Sequence, residues 1–495
     1  MVELKFHDTV DFKAEVAEQA PSRLQHRIGP WAVDVNRNCI ECGICIEECP
    51  TGVFAVQPGR HHLAAPRAGR CVGPEDCNRC VEECPVDAIT ISPSSNYAAL
   101  GDRRWTNDLL AATFHAARYG VLPDGTPYGM GDSGGGFDQL RFNFPHEVEP
   151  IPTGEIDTSI PLNRRGEGRE IAIAIPVYGG GMSFGSVSLN VMLARAIAAR
   201  RTGTFTCTGE GGYPGPLLRY ADSIITQVAT GLFGVREQTI QVAPIVEFKY
   251  AQGAKPGLGG HLLSDKVTKA VAHVREAVEG TSLFSPFPFH SVYSVEDHKK
   301  HVDWIRTVNP DALVSVKVST PEDVDMVAVG SYYAGAHIIH LDGAYGGTGA
   351  APDIAKKNIA MPIEYAIPRT HRFLEKEGIR DQVTLIASGG IRTPHDVLKA
   401  IMLGADGCVI GTAELVAVDC VRCGNCESGR GCPLGIATTD TELAPLIEAE
   451  WGAQRIVNMY AAWRQEWVRL MQQLGVRSVR ALRGRTDLLA YNKGA

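Results

Sequence analysis

The sequence predicts an α/β protein, a closed (β/α)8 barrel preceded by a small α+β domain rich in cysteine. Two observations predict this fold class. Short β-branched runs alternate with helical stretches over about 270 residues, which is typical of a parallel sheet. Of the 14 cysteines, 12 fall into three tight groups, and such spacing suits chelation better than a disulfide framework in a large chain.

The composition excludes several classes of function. The chain is 44% hydrophobic and 21% charged, and no apolar run approaches the ~18 residues of a membrane helix. The N-terminus has no basic segment followed by an apolar one, so we expect a cytoplasmic protein without a membrane span. A net charge of -8 without a long basic run gives no support for a nucleic-acid partner.

Residues 1–30 carry no motif, and residues 31–95 contain the first two cysteine groups. Their spacings are C-x2-C-x2-C-x3-C-P and C-x5-C-x2-C-x3-C-P. This pattern is typical of a ferredoxin-like domain with two [4Fe–4S] clusters, in which the last cysteine of each group crosses to the other cluster. The predicted ligand sets are Cys39, Cys42, Cys45 and Cys84 for one cluster, and Cys49, Cys71, Cys77 and Cys80 for the other. The alternative is a pair of zinc knuckles, which seldom end in Cys-Pro.

Three further segments follow along the chain. Residues 96–165 are rich in glycine, proline and aspartate, and we expect them to form a connecting segment that carries little chemistry. Residues 166–440 form the predicted barrel, because no early G-x-G-x-x-G follows the first strand as it would in an open sheet. Residues 441–495 have a long helical pattern, which we expect to pack on the outside of the barrel as scaffold.

The predicted barrel contains eight candidate strands or strand ends. They are IAIAIPV, SIITQVA, IVEFKYA, TSLFSP, ALVSVKVS, AHIIHLDG, VTLIASGG and DGCVIGTA. Amphipathic helices such as VEDHKKHVDWIRTV and PHDVLKAIMLG separate several of them.

A third cysteine group follows the last predicted strand. Its members are Cys420, Cys423, Cys426 and Cys432. It too ends in Cys-Pro and predicts a third iron–sulfur cluster at the barrel mouth, either [3Fe–4S] or [4Fe–4S], with a structural zinc site as the alternative. Cys207 and Cys408 lie outside the three groups, and we expect both to be buried structural thiols.

Two glycine-containing loops follow the last two predicted strands, where barrels bind phosphate groups through backbone N–H groups. The candidate phosphate-binding residues are Ser388, Gly389, Gly390, Gly411 and Thr412. Plain turn glycines are the alternative. Lys317, near the end of its strand, would place a cation where a reduced flavin develops negative charge.

Nine ordered segments resemble the FMN-binding synthase domain of glutamate synthase. They are GMSFGS (181–186), TGEGG (208–212), QVATGLFGV (227–235), AQGAKPG (251–257), FSPFPFHSVYSVED (284–297), VSVKV (314–318), GGTGAAP (346–352), SGGIRT (388–393) and CPLGIAT (432–438). The resemblance covers about residues 166–490 and implies an FMN barrel with a cluster beside the flavin. It also implies that 2-oxoglutarate and ammonia form 2-iminoglutarate, which the reduced flavin converts to L-glutamate by hydride transfer.

The resemblance implies roles for single residues. Those expected to contact FMN are Met182 and Ser183 through their backbone, Gln227 and Lys317 at the isoalloxazine, and Gly390, Gly411 and Thr412 at the phosphate. Glu210 is expected near the iminium carbon, where it would handle protons. Lys255 is expected near the carboxylates of 2-oxoglutarate, where a cation offsets a dianion. A structural salt bridge is the alternative for both residues.

The chain departs from the family pattern at two places. The segment 258–264 lacks the acidic residue and the glutamine that usually follow AKPG. This leaves open a related FMN synthase that uses another amine or another 2-oxo acid, for instance to form N-methylglutamate. Cys423 is an extra cysteine relative to the family's three-ligand [3Fe–4S] pattern, and four ligands favour [4Fe–4S].

The resemblance also implies partners. The chain opens Met1-Val2-Glu3, without the amino-terminal cysteine of a glutaminase domain, and it ends where the family's glycine-repeat β-helix would start. We therefore expect the split, archaeal-type arrangement, with separate glutaminase and β-helix subunits. Ammonia would come either from the free pool or from the glutaminase subunit. Because no nucleotide fingerprint is present, electrons are expected from reduced ferredoxin or an NAD(P)H-oxidising flavoprotein subunit. A third hypothesis is an electron-transfer subunit of a larger redox complex, although a pure relay needs neither Glu210 nor Lys255.

Overall fold

The computed structural model describes residues 19–24, 29–59, 62–123, 132–348, 351, 354–356, 358–427 and 429–491. The N-terminal module is built on an antiparallel pair of strands, β1 (Trp31–Val35) and β2 (Ile89–Pro93). Two short helices, α1 (Ile44–Glu48) and α2 (Arg79–Glu82), lie between these strands in the sequence, one within each cysteine group. A small hydrophobic core of Val33, Val53, Phe54 and Ile89 holds the module together.

The connecting segment contains more regular structure than its composition indicates. Its elements are α3 (Ser95–Ala98), α4 (Asn107–Tyr119), β3 (Leu140–Phe142), β4 (Ile160–Pro161) and, just after it, β5 (Ala172–Ile173). Helix α4 begins at Thr106, whose hydroxyl accepts from Leu109 N, and ends at Gly120 in the left-handed conformation. This helix packs against the C-terminal helix and is therefore part of the main core.

Eight parallel strands form the barrel. They are β6 (Val177–Gly179), β7 (Thr206–Cys207), β8 (Ile224–Ala229), β9 (Ile245–Lys249), β12 (Leu313–Ser319), β13 (Ile338–Asp342), β14 (Thr384–Ser388) and β15 (Gly407–Ile410), with a separate hairpin of β10 (His261–Leu262) and β11 (Leu283–Phe284). Each strand pairs with its neighbours in chain order, and Gly179 N donates to Phe205 O at 2.8 Å between the first two. The predicted (β/α)8 barrel is confirmed.

Two strand predictions are corrected by the structure. TSLFSP is not a barrel strand, because its residues Leu283–Phe284 pair with His261–Leu262 outside the barrel. The strand that sequence reasoning overlooked is Thr206–Cys207, which is only two residues long and runs into a glycine-rich loop. IAIAIPV supplies only its last residue, Val177, to the barrel. The other six segments each contain a barrel strand.

Nine helices among the described residues belong to the barrel and the tail. They are α5 (Leu189–Arg201), α6 (Glu237–Gln241), α7 (Lys269–Arg275), α8 (Val295–Val308), α9 (Val324–Ala334), α10 (Ile363–Lys376), α11 (Pro394–Met402), α12 (Thr412–Ala417) and α13 (Ala449–Leu474). Single turns of 3₁₀ helix and one longer run are interspersed, at Ala68–Arg70, Thr153–Glu155, Gly215–Ser223, Ser264–Lys266, Arg380–Gln382, Asn425–Glu427, Ala444–Leu446, Val479–Leu482 and Thr486–Leu488.

The long helix α13 packs against α4, α5 and α11, which confirms the predicted packing on the outside of the barrel. Trp463 and Trp467 are buried there, and the indole N–H of Trp467 donates to Pro394 O at 2.9 Å. The final strand β16 (Leu489–Tyr491) pairs with β3 of the connecting segment. No helix in the described part of the chain is long and apolar enough to cross a membrane.

Candidate active site

The cysteines of the N-terminal module lie in two groups. Cys39, Cys42, Cys45 and Cys84 line one small cavity. Burial, and then the nearby thiols of Cys39 and Cys42, raise the pKa of Cys45, and Cys84 adds to this effect. Cys84 comes from the second sequence group, so this set has the crossed composition that the spacing predicts.

The second set surrounds Cys80. Burial, and then the nearby thiols of Cys49, Cys71 and Cys77, raise the pKa of Cys80 to about 11. The two crossing cysteines have equivalent surroundings, because a backbone N–H four residues later donates to each sulfur: Val53 to Cys49 at 3.3 Å and Ala88 to Cys84 at 3.2 Å. Two quartets of cysteines with N–H donors to sulfur are a donor set that suits iron–sulfur clusters.

A cavity of about 460 Å³ opens at the carboxyl ends of the barrel strands. Every barrel residue predicted for FMN or substrate lines it: Met182, Ser183, Glu210, Gln227, Lys255, Lys317, Ser388, Gly389, Gly390, Gly411 and Thr412. The third cysteine group lines it as well, with Cys420, Cys423, Cys426 and Cys432. Parallel strands bring their carboxyl ends to one edge, so loops far apart in the sequence meet here. The roles assigned to these residues stay predictions.

A buried polar network forms the floor of the cavity. Lys317 Nζ lies 3.2 Å from Asp342 Oδ2, and Asp342 Oδ1 accepts from Ser388 Oγ at 2.6 Å. The ring of His340 continues the network, with 2.7 Å from Nε2 to Ser388 Oγ and 3.0 Å from Nδ1 to Glu247 Oε2. Both ring nitrogens thus face oxygen atoms. Along the network the carboxylates of Asp342 and Glu247 alternate with the basic side chains of Lys317 and His340.

The charges in this network stabilise one another. Burial alone would raise the pKa of Glu247, but His340, Lys317 and a hydrogen bond from Gln227 lower it to about 2. Burial alone would lower the pKa of Lys317, yet Asp342 and Glu247 raise it. Gln227 Nε2 donates to Glu247 Oε1 at 2.7 Å, which fixes the orientation of its amide. A cation at Lys317 is therefore held in place beneath the cavity at neutral pH.

Glu210 lies on the cavity wall as half of an ion pair. Its Oε2 lies 3.2 Å from Lys249 Nζ, and its other oxygen accepts a hydrogen bond from Ser285. Although burial would raise the pKa of Glu210, Lys249 and Ser285 lower it. Gly260 is required nearby, because a Cβ there would lie 2.0 Å from Glu210 Oε2. Glu210 is thus an ionised carboxylate at neutral pH.

Lys255 is a buried cation close to a second cation, Lys249. Its residue is 5% exposed, and among the described residues its ammonium group forms no ion pair. Burial, and then the positive charge of Lys249, lower the pKa of Lys255 to about 8. His261 lines the same part of the cavity, and burial and Lys255 lower the pKa of its imidazole.

The loop of the third cysteine group is held from two sides. Lys266 Nζ donates to Cys426 O at 2.5 Å and pairs with Glu427 at 3.1 Å. On the other side Arg422 pairs with Asp102 of the connecting segment at 2.7 Å. Burial raises the pKa of Cys420 to about 11. Within the described residues no three histidine, cysteine or acidic side chains could hold a single metal ion.

Sequence reasoning missed several cavity residues. Lys249 and Glu247 lie two residues apart in a strand whose other residues are all buried and apolar. This alternation places both charged side chains on one face of the strand and could have indicated that they belong to a site. Arg104 and Asp102 also line the cavity, although the connecting segment was expected to carry little chemistry. No pattern in the sequence indicates these two, because their position depends on how the segment folds back onto the barrel.

Residues 142–477 match the family model described as the conserved region in glutamate synthase. This chain belongs to the glutamate synthase family. Residues 38–88 match the 4Fe-4S dicluster domain, which confirms the predicted iron–sulfur module and makes the zinc-knuckle alternative wrong there. The chain is therefore an iron–sulfur oxidoreductase of the glutamate synthase family.

Two relatives of this family align with most of the chain. The archaeal glutamate synthase (NADPH) of Methanocaldococcus jannaschii is 41% identical over 355 residues, which are 71% of this chain and 68% of that protein. The archaeal-type glutamate synthase (NADPH) of Thermotoga neapolitana is 40% identical over 346 residues, 68% of each chain. Among solved structures, a flavocytochrome b2 double mutant with pyruvate bound has a TM-score of 0.46 at 16% identity, covering 72% of this chain and 78% of that chain.

Proposed function

We propose that this chain carries out the reductive amination of 2-oxoglutarate to L-glutamate through 2-iminoglutarate. The observation that carries the proposal is the shared cavity, which brings the ionised Glu210 and Lys255, a cation without an ion pair among the described residues, to the same space as Gln227 and Lys317. A dianionic 2-oxo acid finds cations there, and a flavin ring finds a buried cation beneath it.

The residues present fit a bound FMN. Lys317 is charged and buried, and the amide of Gln227 is oriented by Glu247. Gly389 and Gly390 have φ of 91° and 121°, so side chains are disfavoured where a phosphate would approach the backbone. When bound, FMN supplies the hydride that reduces the imine. The contacts of Met182, Ser183, Ser388, Gly411 and Thr412 with FMN are part of this proposal.

The protein side chains have distinct tasks in this scheme. Lys255 and the nearby Lys249 bind and orient the carboxylates of 2-oxoglutarate. Glu210 accepts a proton from the attacking ammonia, carries it as the carboxylic acid and returns one when water leaves, and Lys249 keeps the resting carboxylate ionised so that it can accept the proton. The closed wall around Ser285 and Gly260 keeps this carboxylate in one position.

Electrons enter through the iron–sulfur centres. We propose two [4Fe–4S] clusters in the N-terminal module and a third cluster, [4Fe–4S], on Cys420, Cys423, Cys426 and Cys432. The donor is reduced ferredoxin or an NAD(P)H-oxidising flavoprotein subunit; the names of the relatives favour NADPH as the ultimate source. Ammonia is free or comes from a separate glutaminase subunit, and a β-helix subunit completes the assembly.

A second amine substrate has support from one observation. His261, where the family usually has another residue type, lines the cavity near Lys255. A lowered imidazole pKa leaves this side chain neutral at pH 7, so an alkylamine such as methylamine meets no additional charge. A pure electron relay has less support, because it would not need the pair of Glu210 with Lys249.

An anaerobic experiment tests the proposal. The purified protein is reduced with dithionite, 2-oxoglutarate and ammonium are added, and flavin reoxidation is followed near 450 nm with analysis of glutamate. Rapid reoxidation with glutamate formation is expected. If the flavin is reoxidised faster with methylamine than with ammonium, and N-methylglutamate is the product, then methylamine and not ammonia is the preferred substrate. A flavin that stays reduced with both would contradict the synthase chemistry in this chain alone.

A further inference from the structure

Arg104 is a buried arginine at the rim of the cavity. It belongs to the connecting segment, outside the stretch 142–477 that matches the synthase family. The residue is 9% exposed, and it lines the cavity together with Gly389 and Gly390. A side chain from outside the barrel therefore reaches the loop that the sequence predicts to bind phosphate.

The guanidinium of Arg104 is held by neutral groups only. Its Nε donates to Ser133 O at 2.9 Å, its Nη1 to Tyr345 O at 2.8 Å and its Nη2 to Gly390 O at 3.4 Å. It also stacks over the ring of Tyr345, 4.5 Å from the centroid. A guanidinium has five N–H groups, so two are left for a ligand.

Among the described residues no carboxylate lies within ion-pair distance of this charge. Glu364, Asp102 and Asp396 act on it only from farther away, and they do not offset the burial and the charge of Arg392 that lower the pKa of Arg104 to about 10. Within the described part of the chain Arg104 forms no ion pair. Arg392 brings a second guanidinium close, because its Nη1 donates to Arg104 O at 2.7 Å, although Asp396 lies 3.9 Å from Arg392 Nε. Glu364 lies in the same region, but burial raises the pKa of its carboxyl to about 7, so it offers at most part of a negative charge at neutral pH. A buried cation in this situation is costly unless an anion joins it.

The loop leaves room for that anion. Gly390 has a φ of 121°, and a Cβ there would lie 3.0 Å from Arg104 Nη2. A side chain at this position would press on the guanidinium and cover it from the cavity. Glycine at Gly390 instead leaves the guanidinium and the backbone beside it open to one ligand group.

We propose that Arg104 binds the phosphate of FMN and that the connecting segment thereby completes the flavin site of the barrel. The inference rests on the proposed function in that it takes FMN as the ligand. A guanidinium pairs with two phosphate oxygens at once, which suits the two N–H groups that remain. Flavin affinity then depends on the docking of a segment that also joins the barrel to the iron–sulfur module.

The test compares FMN with riboflavin, which has the same ring but no phosphate. The flavin is removed from the full-length protein, and the Kd of each flavin is measured by quenching of flavin fluorescence. Arg104→Ala is expected to weaken FMN binding by about 10- to 100-fold and to leave riboflavin binding unchanged. Arg104→Lys, which keeps the charge, should recover part of the loss. Arg103→Ala is the matched control, since Arg103 is exposed and pairs with Asp132.

Each outcome decides the proposal. An FMN Kd that is unchanged in Arg104→Ala would overturn it. Equal weakening of FMN and riboflavin would also overturn it, because this would mean that Arg104 only supports the loop. If Arg104→Ala fails to fold, Arg104→Gln and Arg104→Lys supply the same comparison of the two flavins. A native chain that binds neither flavin would instead contradict the proposed FMN cofactor.

Discussion

Glu210 and Lys255 line the same cavity in opposite electrostatic situations. Glu210 has a partner, Lys249, that lowers the pKa of its carboxyl, whereas Lys255 has burial and a like charge that lower the pKa of its ammonium group to about 8. The carboxylate is therefore ionised over the whole neutral range. The ammonium group, in contrast, can lose its proton just above that range.

Replacement of Glu210 tests its role in proton transfer. Glu210→Gln keeps the shape of the side chain, but it replaces one acceptor oxygen by an amide donor and removes the basicity. We expect kcat with 2-oxoglutarate and ammonia to fall by about 10²-fold while FMN content stays near normal. The control is Glu276→Gln, because Glu276 likewise pairs with a basic side chain, that of Arg236, but lies on the exposed surface. Full activity in Glu210→Gln would remove this residue from the mechanism.

The pKa of Lys255 predicts a pH dependence of substrate binding. The charged form exists below pH of about 8 and is lost as the pH rises through that value. The KM for 2-oxoglutarate should thus be constant below pH 8 and rise by about tenfold per pH unit above it. In Lys255→Arg the charge persists, so this rise should disappear. A KM that rises in both proteins alike would assign the titration to another group.

Residue-level prediction from the sequence succeeded where a short motif identifies a loop. Each of the TGEGG, AKPG and SGGIRT segments contributes to the lining of the cavity, with Glu210, with Lys255, and with Ser388, Gly389 and Gly390 respectively. It failed for Asp342 and Arg104, because no local pattern separates them from ordinary surface or core charges, and it overlooked Lys249, whose one local signal is its alternation with Glu247 in an otherwise apolar strand. Only pairing across strands, such as the register of Lys317 with both Lys249 and His340, shows that they belong to one site.

At the level of elements, the barrel strands differ in how much sequence signal they carry. Strand β12 has seven residues, all buried, and its β-branched run made it easy to predict. Strand β7 has only two residues and gains its place from neighbouring strands rather than from its own propensity. The hairpin of β10 and β11 shows the opposite error, a segment predicted as a barrel strand that lies outside the barrel. Its buried apolar residues pack in a separate small core with Val267 and Val271.

The loop of the third cysteine group is expected to transfer electrons to the flavin. Cys426→Ser should leave FMN bound, because the residues predicted to hold FMN lie on other loops. Reduction of the flavin by ferredoxin should slow by at least the ~10-fold that loss of a supporting partner of a metal centre typically costs. Stopped-flow absorbance near 450 nm measures this rate, and an unaltered rate would contradict the relay.

Cys423 would decide the type of the proposed third cluster. With four cysteine ligands we expect a [4Fe–4S] cluster, and Cys423→Ser should convert it to [3Fe–4S] with a loss of about one iron per chain. Electron paramagnetic resonance of the oxidised protein should then show the [3Fe–4S] signal. The comparison variant is Cys420→Ser, which removes a more buried ligand and should lose the cluster entirely. A [3Fe–4S] signal already present in the native protein would show that Cys423 is not a ligand.

At the scale of the whole molecule, one short stretch joins three candidate redox sites. Gly101 N donates to Val421 O at 3.2 Å, and Asp102 pairs with Arg422, so the segment is fixed to the third cysteine loop. Two residues later Arg104 reaches the Gly390 loop, and a few residues earlier the chain leaves the N-terminal module. The geometry of electron transfer therefore depends on contacts that are neither in the module nor in the barrel alone.

Loss of the Asp102–Arg422 pair should uncouple the module from the barrel without disabling the barrel. Asp102→Asn keeps Oδ1, which accepts from Arg104 N and Trp105 N at 2.9 Å each, but removes the charge that Arg422 pairs with. Both side chains are about one third exposed, so the pair contributes roughly 0.2–1 kcal/mol and the effect should be a several-fold decrease. That decrease should appear in ferredoxin-driven turnover and not in turnover started by dithionite, which reduces the flavin directly.

The control Asp132→Asn breaks a similar pair with Arg103 on the same segment, away from the cysteine loop, and should change neither rate. Equal losses with both reductants would mean that Asp102 supports the barrel itself, because an electron path through the module cannot limit a flavin that is reduced from solution.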